Sequence, residues 1–336
     1  MKTIRDALAA SVFFLCLAGA GFAPRDAAAE SIKIGIVKVG ASGPVYVAYD
    51  KGYFTAQGLE AELVYFDGPE SIPVGLVSGS IDVGAGPIGA ALYTLGGQGA
   101  VRIIGGLNRY HRDFHAMAMM ASNRAWSTGL KSAGDFGGHS FAVSQFGTSP
   151  QYSLSRLAEI RGIDVKSIRV VALQSAPNIA AALTGGQVDS AILPIIIATP
   201  LIARDQAKLI GWLDDEVGLQ NGVIEVATKT ADTRPDMIKR FLTGYRKGAR
   251  EYYDAFTGPD DEPRMGPNAP AVMALIDKYT GQTTTTALGA SYIDPEAKVD
   301  VEDVYRQIAW FKSVNMVKPD LDANQIVDKR YVVPLR

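Results

Sequence analysis

One twelve-residue pattern occurs twice in this chain, and its spacing constrains the fold more than any other feature. Leu76 to Pro87 reads LVSGSIDVGAGP and Leu183 to Pro194 reads LTGGQVDSAILP, each with Leu, Gly, Asp and Pro at the same intervals. A glycine that can adopt the left-handed conformation ends a helix, Asp leads into a short apolar strand, and Pro opens the loop to the next helix. The same offset, from 76 to 183, relates Gly40-Ala41-Ser42 after the apolar run Ile32 to Val39 to Gly147-Thr148-Ser149 after Phe141 to Val143. Turn residues coincide by chance in any α/β chain, but four aligned features at one offset read as two lobes of like topology. Two such lobes imply a cleft, and function is sought there.

The first 29 residues read differently. Lys2 and Arg5 precede the apolar stretch Ala7 to Ala20, and Ala27-Ala28-Ala29 supplies small residues before Glu30, the pattern of a secretory signal cleaved near Ala29. The stretch is shorter than the ~20 residues that span a bilayer. It contains the single cysteine, Cys16, and Leu15 stands where a lipidated cysteine would follow a small residue. Cleavage would leave a cysteine-free chain, excluding disulfides, thiol catalysis and cysteine metal sites and suiting a bacterial periplasm. The remaining chain carries 30 Lys and Arg against 33 Asp and Glu with no basic block, which speaks against nucleic acid. A monomer without cofactors is expected.

From Ile32 to Leu107 strands and helices alternate as in a mostly parallel sheet with helices on its faces. His115 to Ala121 reads as the first crossing between lobes. The pattern restarts at Trp126, and Val223 to Ala227 reads as the return crossing. Three helices follow, over Arg234 to Phe256, Asn268 to Tyr279 and Val301 to Val317. Ile238, Phe241, Leu242, Tyr245, Ala249 and Tyr252 share one face of the first. These helices are expected on the first lobe. The domain reading is a leader over 1–29, a first lobe over 30–118 and 226–336, and a second over 119–225.

With these segments in place, the chain resembles the periplasmic substrate-binding proteins of ABC transporters, in the nitrate, sulfonate, taurine and thiamine-precursor group. The resemblance rests on Pro44 to Phe54 with Gly58-Leu59-Glu60, on Leu76 to Gly84, on Gly129 to Gly138, on Gly185 to Asp189, and on Tyr292 to Pro295 with the helix from Val301. Phe136 stands where leucine is usual, and His139 where a basic residue follows the glycines. The cysteine motif of the related pyrimidine-synthesising enzymes is absent. The resemblance implies a type II periplasmic-binding fold, α/β with two similar lobes joined by two crossings. It also implies a small ligand held between the lobes and delivery to a membrane permease with a cytoplasmic ATPase.

In open α/β sheets ligands sit beyond the carboxyl ends of strands, where helix N-termini offer free N–H groups and partial positive charge. Gly147, Thr148 and Ser149 are therefore the strongest site element, although Ser149 can equally serve as a cap for its own helix. Ser42 with Gly43 stands at the matching position of the first lobe, and the missing side chain of Gly43 would let a ligand approach the backbone. Gly68 can offer its N–H from a turn in which Glu70 favours its own helix start. Gly86, Asn108 and Pro194 join the set at strand ends. His111, beside Arg109 and Arg112, can neutralise an anion or simply be solvated. Phe146, with Tyr46, Tyr110 and Tyr152, can wall an organic ligand or fill the core.

Three sharper motifs fail on inspection. Gly84 to Gly89 matches G-x-G-x-x-G, but no acidic residue follows about 20 positions on at a strand end, and Pro87 removes an N–H. His111 and His115 are four apart, but Arg112 stands where a zinc helix would carry glutamate, so no metal is expected. No G-x-S-x-G element occurs. The reading is a solute-binding protein for a small organic anion, a sulfonate or carboxylate. The alternatives are an exported enzyme using Glu70, His111 or Asp113 as acid or base, and a ligand receptor for a membrane sensor.

Overall fold

The computed structural model describes residues 29–281 and 290–335, so the expected leader, but for its last residue, lies outside the described residues. β1 (Glu30–Val37), α1 (Gly43–Asp50), β2 (Leu59–Phe66), α2 (Ser71–Ser78), β3 (Val83–Pro87), α3 (Ala90–Gly97) and β4 (Val101–Tyr110) alternate along the first part of the chain. Next come β5 (Met117–Ser122), α4 (Asn123–Ser127), β6 (Ser140–Val143), α5 (Ser149–Arg161), β7 (Arg169–Ala172), α6 (Ala176–Thr184), β8 (Ser190–Pro194), α7 (Ile195–Ala203), β9 (Ala207–Trp212) and α8 (Leu213–Glu216). β10 (Leu219–Ala227), α9 (Thr228–Thr233), α10 (Pro235–Phe256), α11 (Ala269–Thr280) and α12 (Val301–Ser313) complete the described chain. Among the described residues no helix is long and apolar enough to cross a membrane.

The strands form two five-stranded sheets, ordered β2-β1-β3-β10-β4 and β7-β6-β8-β5-β9. β1 runs parallel to β2 and β3, and β6 runs parallel to β7 and β8. The fourth strand of each order is antiparallel to both neighbours, β10 in the first sheet and β5 in the second. The two lobes thus share one topology, and each antiparallel strand is the first to arrive from the other lobe.

The repeat explains itself in this frame. Gly79 and Gly186 take left-handed φ values of 76° and 66° at the helix ends, where a side chain would be strained. Leu76 and Leu183 are buried. Asp82 accepts the Lys33 N–H of β1 at 2.8 Å, and Asp189 accepts the Ser140 N–H of β6 at 2.9 Å. Each aspartate also takes an arginine from beyond its sheet's antiparallel strand, Arg234 for Asp82 and Arg124 for Asp189. The repeated Asp is a brace between strands. Pro194 caps α7 directly, whereas Pro87 ends β3 three residues before α3.

The crossings lie elsewhere than the sequence suggested. Met117–Ser122 and Leu219–Ala227 are sheet strands, so the connections are residues 111–116 and 213–218, and residues 219–225 pair with the first sheet. A short continuous apolar run reads alike as a buried strand or as a covered linker, because it has no periodicity to separate the two.

The apolar face of α10 is buried as expected, with Ile238, Phe241, Leu242, Tyr245, Ala249 and Tyr252 all at 3% exposure or less. α12 departs from expectation. Val304, Ile308 and Phe311 join Leu92 and Tyr93 in the first lobe's core. Trp310, from the same helix, donates its Nε1–H to Ser155 of α5 at 2.8 Å and packs edge-on against Tyr152. The helix therefore spans both lobes rather than resting on one.

Candidate ligand cleft

The second lobe brings two helix N-termini to the carboxyl ends of its strands. At α5, Thr148 occupies the cap position with extended backbone, yet its hydroxyl donates to Gln145 O at 3.0 Å, and no side chain caps the helix. Gly147, at φ 78°, donates its N–H to Gln151 Oε1 at 2.7 Å, and any side chain there would strike Met316. α7 begins after Pro194, also without a side-chain cap. A helix start with no capping side chain keeps partial positive charge, although at α5 Pro150 has no N–H and the Gln151 and Tyr152 N–H groups donate to Thr148 O, and at α7 the Ile195 N–H donates to Ala116 O. Phe146, 55% exposed, and Ile196, 58% exposed, add apolar surface beside these two starts.

The first lobe is arranged differently. Glu70 does not serve its own helix; its carboxylate accepts the N–H groups of Ala90 at 3.1 Å and Ala91 at 2.8 Å and so occupies the start of α3. Anion capture at that terminus is blocked by an internal anion. Ser42 is buried and donates its hydroxyl to Val37 O at 2.8 Å. Gly43 is required by packing, since a Cβ would lie 2.5 Å from the Tyr252 ring, whereas a Cβ at Gly86 would meet only the movable end of Ile72 at 2.5 Å. A Cβ at Gly68 would meet nothing within 4 Å. Lys38, exposed at the end of β1, holds its ammonium over the Tyr65 ring.

The lobes meet through a polar chain. Ser149 Oγ donates to Asn221 Oδ1 at 2.9 Å, and Asn221 Nδ2 reaches Asn108 Oδ1 at 3.5 Å. The Tyr110 hydroxyl sits beside Ser149, and burial holds it firmly protonated. Gln220 donates its side-chain amide to Asn108 O at 3.1 Å and its backbone N–H to Asp303 Oδ2 at 2.8 Å. Asp303 in turn accepts the Tyr152 hydroxyl of α5 at 2.9 Å, and burial pushes its carboxyl up. Asn108 and Ser149 are thus brought together, with Asn221 between them. Asn221 was missed, and its one signal is two adjacent amides in the otherwise apolar strand LQNGVIEVA.

His111 is turned into an aromatic stack, 4.4 Å from the Tyr292 ring and edge-on to Phe114. Burial lowers its pKa, which favours the neutral ring. Arg109 lies over Tyr292 as well, at 5.5 Å. The two crossings are tied to each other. Asp215 accepts the Asp113 N–H at 2.9 Å and pairs with His115 Nε2 at 3.1 Å, while Asp214 accepts the Met117 N–H at 2.9 Å. Away from the strand ends, an open depression of about 400 Å³ lies over α10 between Tyr53, Lys247 and Glu296.

The NMT1/THI5-like family model matches residues 41–259. The periplasmic aliphatic sulphonate-binding protein SsuA of Escherichia coli is similar in structure, with TM-score 0.68 and 18% identity over 90% of this chain and 98% of that one. The alkanesulfonate-binding protein SsuA of Xanthomonas axonopodis pv. citri, bound to MOPS, follows at TM-score 0.67 and 16% identity over 89% and 98%. The periplasmic nitrate-binding protein NrtA of Synechocystis gives TM-score 0.61 and 12% identity over 90% and 86%. No curated protein matches by sequence. With the paired sheets, the exchanged antiparallel strands and a family match over most of its length, the chain belongs to the NMT1/THI5-like family on the periplasmic-binding-protein fold.

Proposed function

We propose that this protein is the periplasmic solute-binding component of an ABC importer, capturing a small organic anion between its lobes and presenting it to a membrane permease. The observation that carries the reading is the α5 start, where no side chain caps the helix and Ser149 reaches across to Asn221. An anionic head would take the Ser149 N–H and hydroxyl at the start of α5 and the N–H groups that follow Ile195 in α7, and an apolar tail would lie against Phe146 and Ile196. Glu70 keeps the head away from α3. The sulfonate- and nitrate-binding proteins of like fold support the anionic class. We read the lobes as divided at 111–116 and 213–218.

The acid or base candidates of an enzyme are engaged elsewhere: Glu70 caps α3, His111 is stacked, and Asp113 lies in a crossing. This favours capture over turnover. Calorimetry with alkanesulfonates, aromatic sulfonates, carboxylates and nitrate tests the reading. It expects one ligand bound tightly and recovered unchanged, and Ser149→Ala weakening it by about 1 to 3 kcal/mol. Absence of binding across the panel, or conversion of the bound ligand, overturns it.

A further inference from the structure

The two crossings bring together three side chains of metal-ligating type. Asp113 and His115 come from the first crossing and Asp215 from α8 within the second, about a hundred residues away in sequence. One ligand atom from each lies within 4.8 Å of the others. His115 Nε2 and Asp215 Oδ2 are 3.1 Å apart, close to the separation of two ligands on one tetrahedral zinc ion. The imidazole is held in place by stacking on Trp212, with ring centres 4.7 Å apart.

The charge balance points the same way. Asp113, Asp214 and Asp215 stand close in space, and among the described residues none of them pairs with a lysine or arginine, while Asp215 is paired with the His115 ring. Asp214 is 3% exposed, and its Oδ1 has no hydrogen-bond partner among the described residues. Two carboxylates and one imidazole, with a third carboxyl buried behind them and no lysine or arginine paired to any of them among the described residues, leave a place for a cation. We infer that Asp113, His115 and Asp215 form a site for a divalent transition-metal ion, Zn²⁺ by preference, that ties the two crossings together.

One imidazole with two carboxylates is a donor set suited to Zn²⁺ or Mn²⁺ and poor for Ca²⁺, which takes oxygen ligands alone. The ion would replace the hydrogen now shared by Nε2 and Oδ2. Bound on the hinge rather than in the cleft, it would stiffen the crossings and leave the ligand-contacting groups untouched. The inference is independent of which solute the cleft takes.

Calorimetry of the purified protein with ZnCl₂, MnCl₂ and CaCl₂, paired with thermal melts, tests it. One Zn²⁺ should bind per chain and raise the melting temperature, with Mn²⁺ weaker and Ca²⁺ silent. His115→Ala and the exposed, fold-neutral Asp113→Asn should each weaken Zn²⁺ by about tenfold or more, while His111→Ala leaves it unchanged. The chain has 3 histidines, so His111 and His139 serve as internal controls. No saturable binding up to about 1 mM Zn²⁺, or equal affinity in wild type and both Asp113→Asn and His115→Ala, overturns the site.

Discussion

Glu225 sits at 2% exposure in the middle of β10, and its Oε2 has no hydrogen-bond partner among the described residues. Burial, and secondarily the charge of Glu70, pushes its pKa up to about 8 from an ordinary 4.5. Between those values the folded protein holds a proton that the unfolded chain has shed, so stability falls as pH rises through that window. Glu225→Gln should abolish the slope and exceed wild type at pH 9 by on the order of 3 kcal/mol, read from urea unfolding at pH 6 and pH 9. Asp189 behaves oppositely. Burial resists its ionisation, but the Ser140 bonds and Arg124 hold its carboxyl below the ordinary 3.8. Its contribution is present above that value and lost as pH falls through and below it. Asp189→Ala should cost about 2 kcal/mol at pH 7, because the Ser140 N–H loses its partner, and should flatten the acid limb of the stability profile.

At the scale of elements, the contact between α1 and α10 governs the first lobe. A Cβ at Gly248 would lie 2.3 Å from Pro44 O, a backbone atom that cannot move without shifting α1. Gly248→Ala should therefore destabilise by about 2 kcal/mol or more, whereas Gly68→Ala, with open space around it, should stay within about 0.5 kcal/mol of wild type. Denaturant midpoints for the two variants make the comparison, and a silent Gly248→Ala would refute the close crossing. Helix boundaries written in local chemistry are legible: α5 runs from Ser149 to Arg161 because Pro150 follows its start and Gly162 takes the left-handed end. α1 ends at Asp50 although the next left-handed glycine cap in sequence is Gly58, since Lys51 to Phe54 turn away and only a short 3-10 turn follows.

On the scale of the whole molecule, α12 joins what the crossings alone would leave loosely coupled. Its Asp303 receives the Tyr152 hydroxyl from the second lobe and the Gln220 N–H from the first. Tyr152→Phe leaves that buried carboxylate one donor short and should lower stability by about 1 to 3 kcal/mol, measured by thermal unfolding, with an unchanged midpoint as the disproof. Duplicated topology was determined by the chain itself, because left-handed glycines, strand-entry aspartates and strand-end prolines act over a few residues and need no partner to be read. The two-lobe reading followed from that duplication, and the family from the stretches around Pro44, Leu76, Gly129, Gly185 and Tyr292. What only the tertiary structure decided is which distant groups meet: that Glu70 closes α3, that Asn221 stands between Ser149 and Asn108, that α12 reaches the second lobe, and that Asp215 finds Asp113 and His115. Those pairings depend on how two sheets are set against each other, and spacing along one chain carries no term for contacts a hundred residues apart.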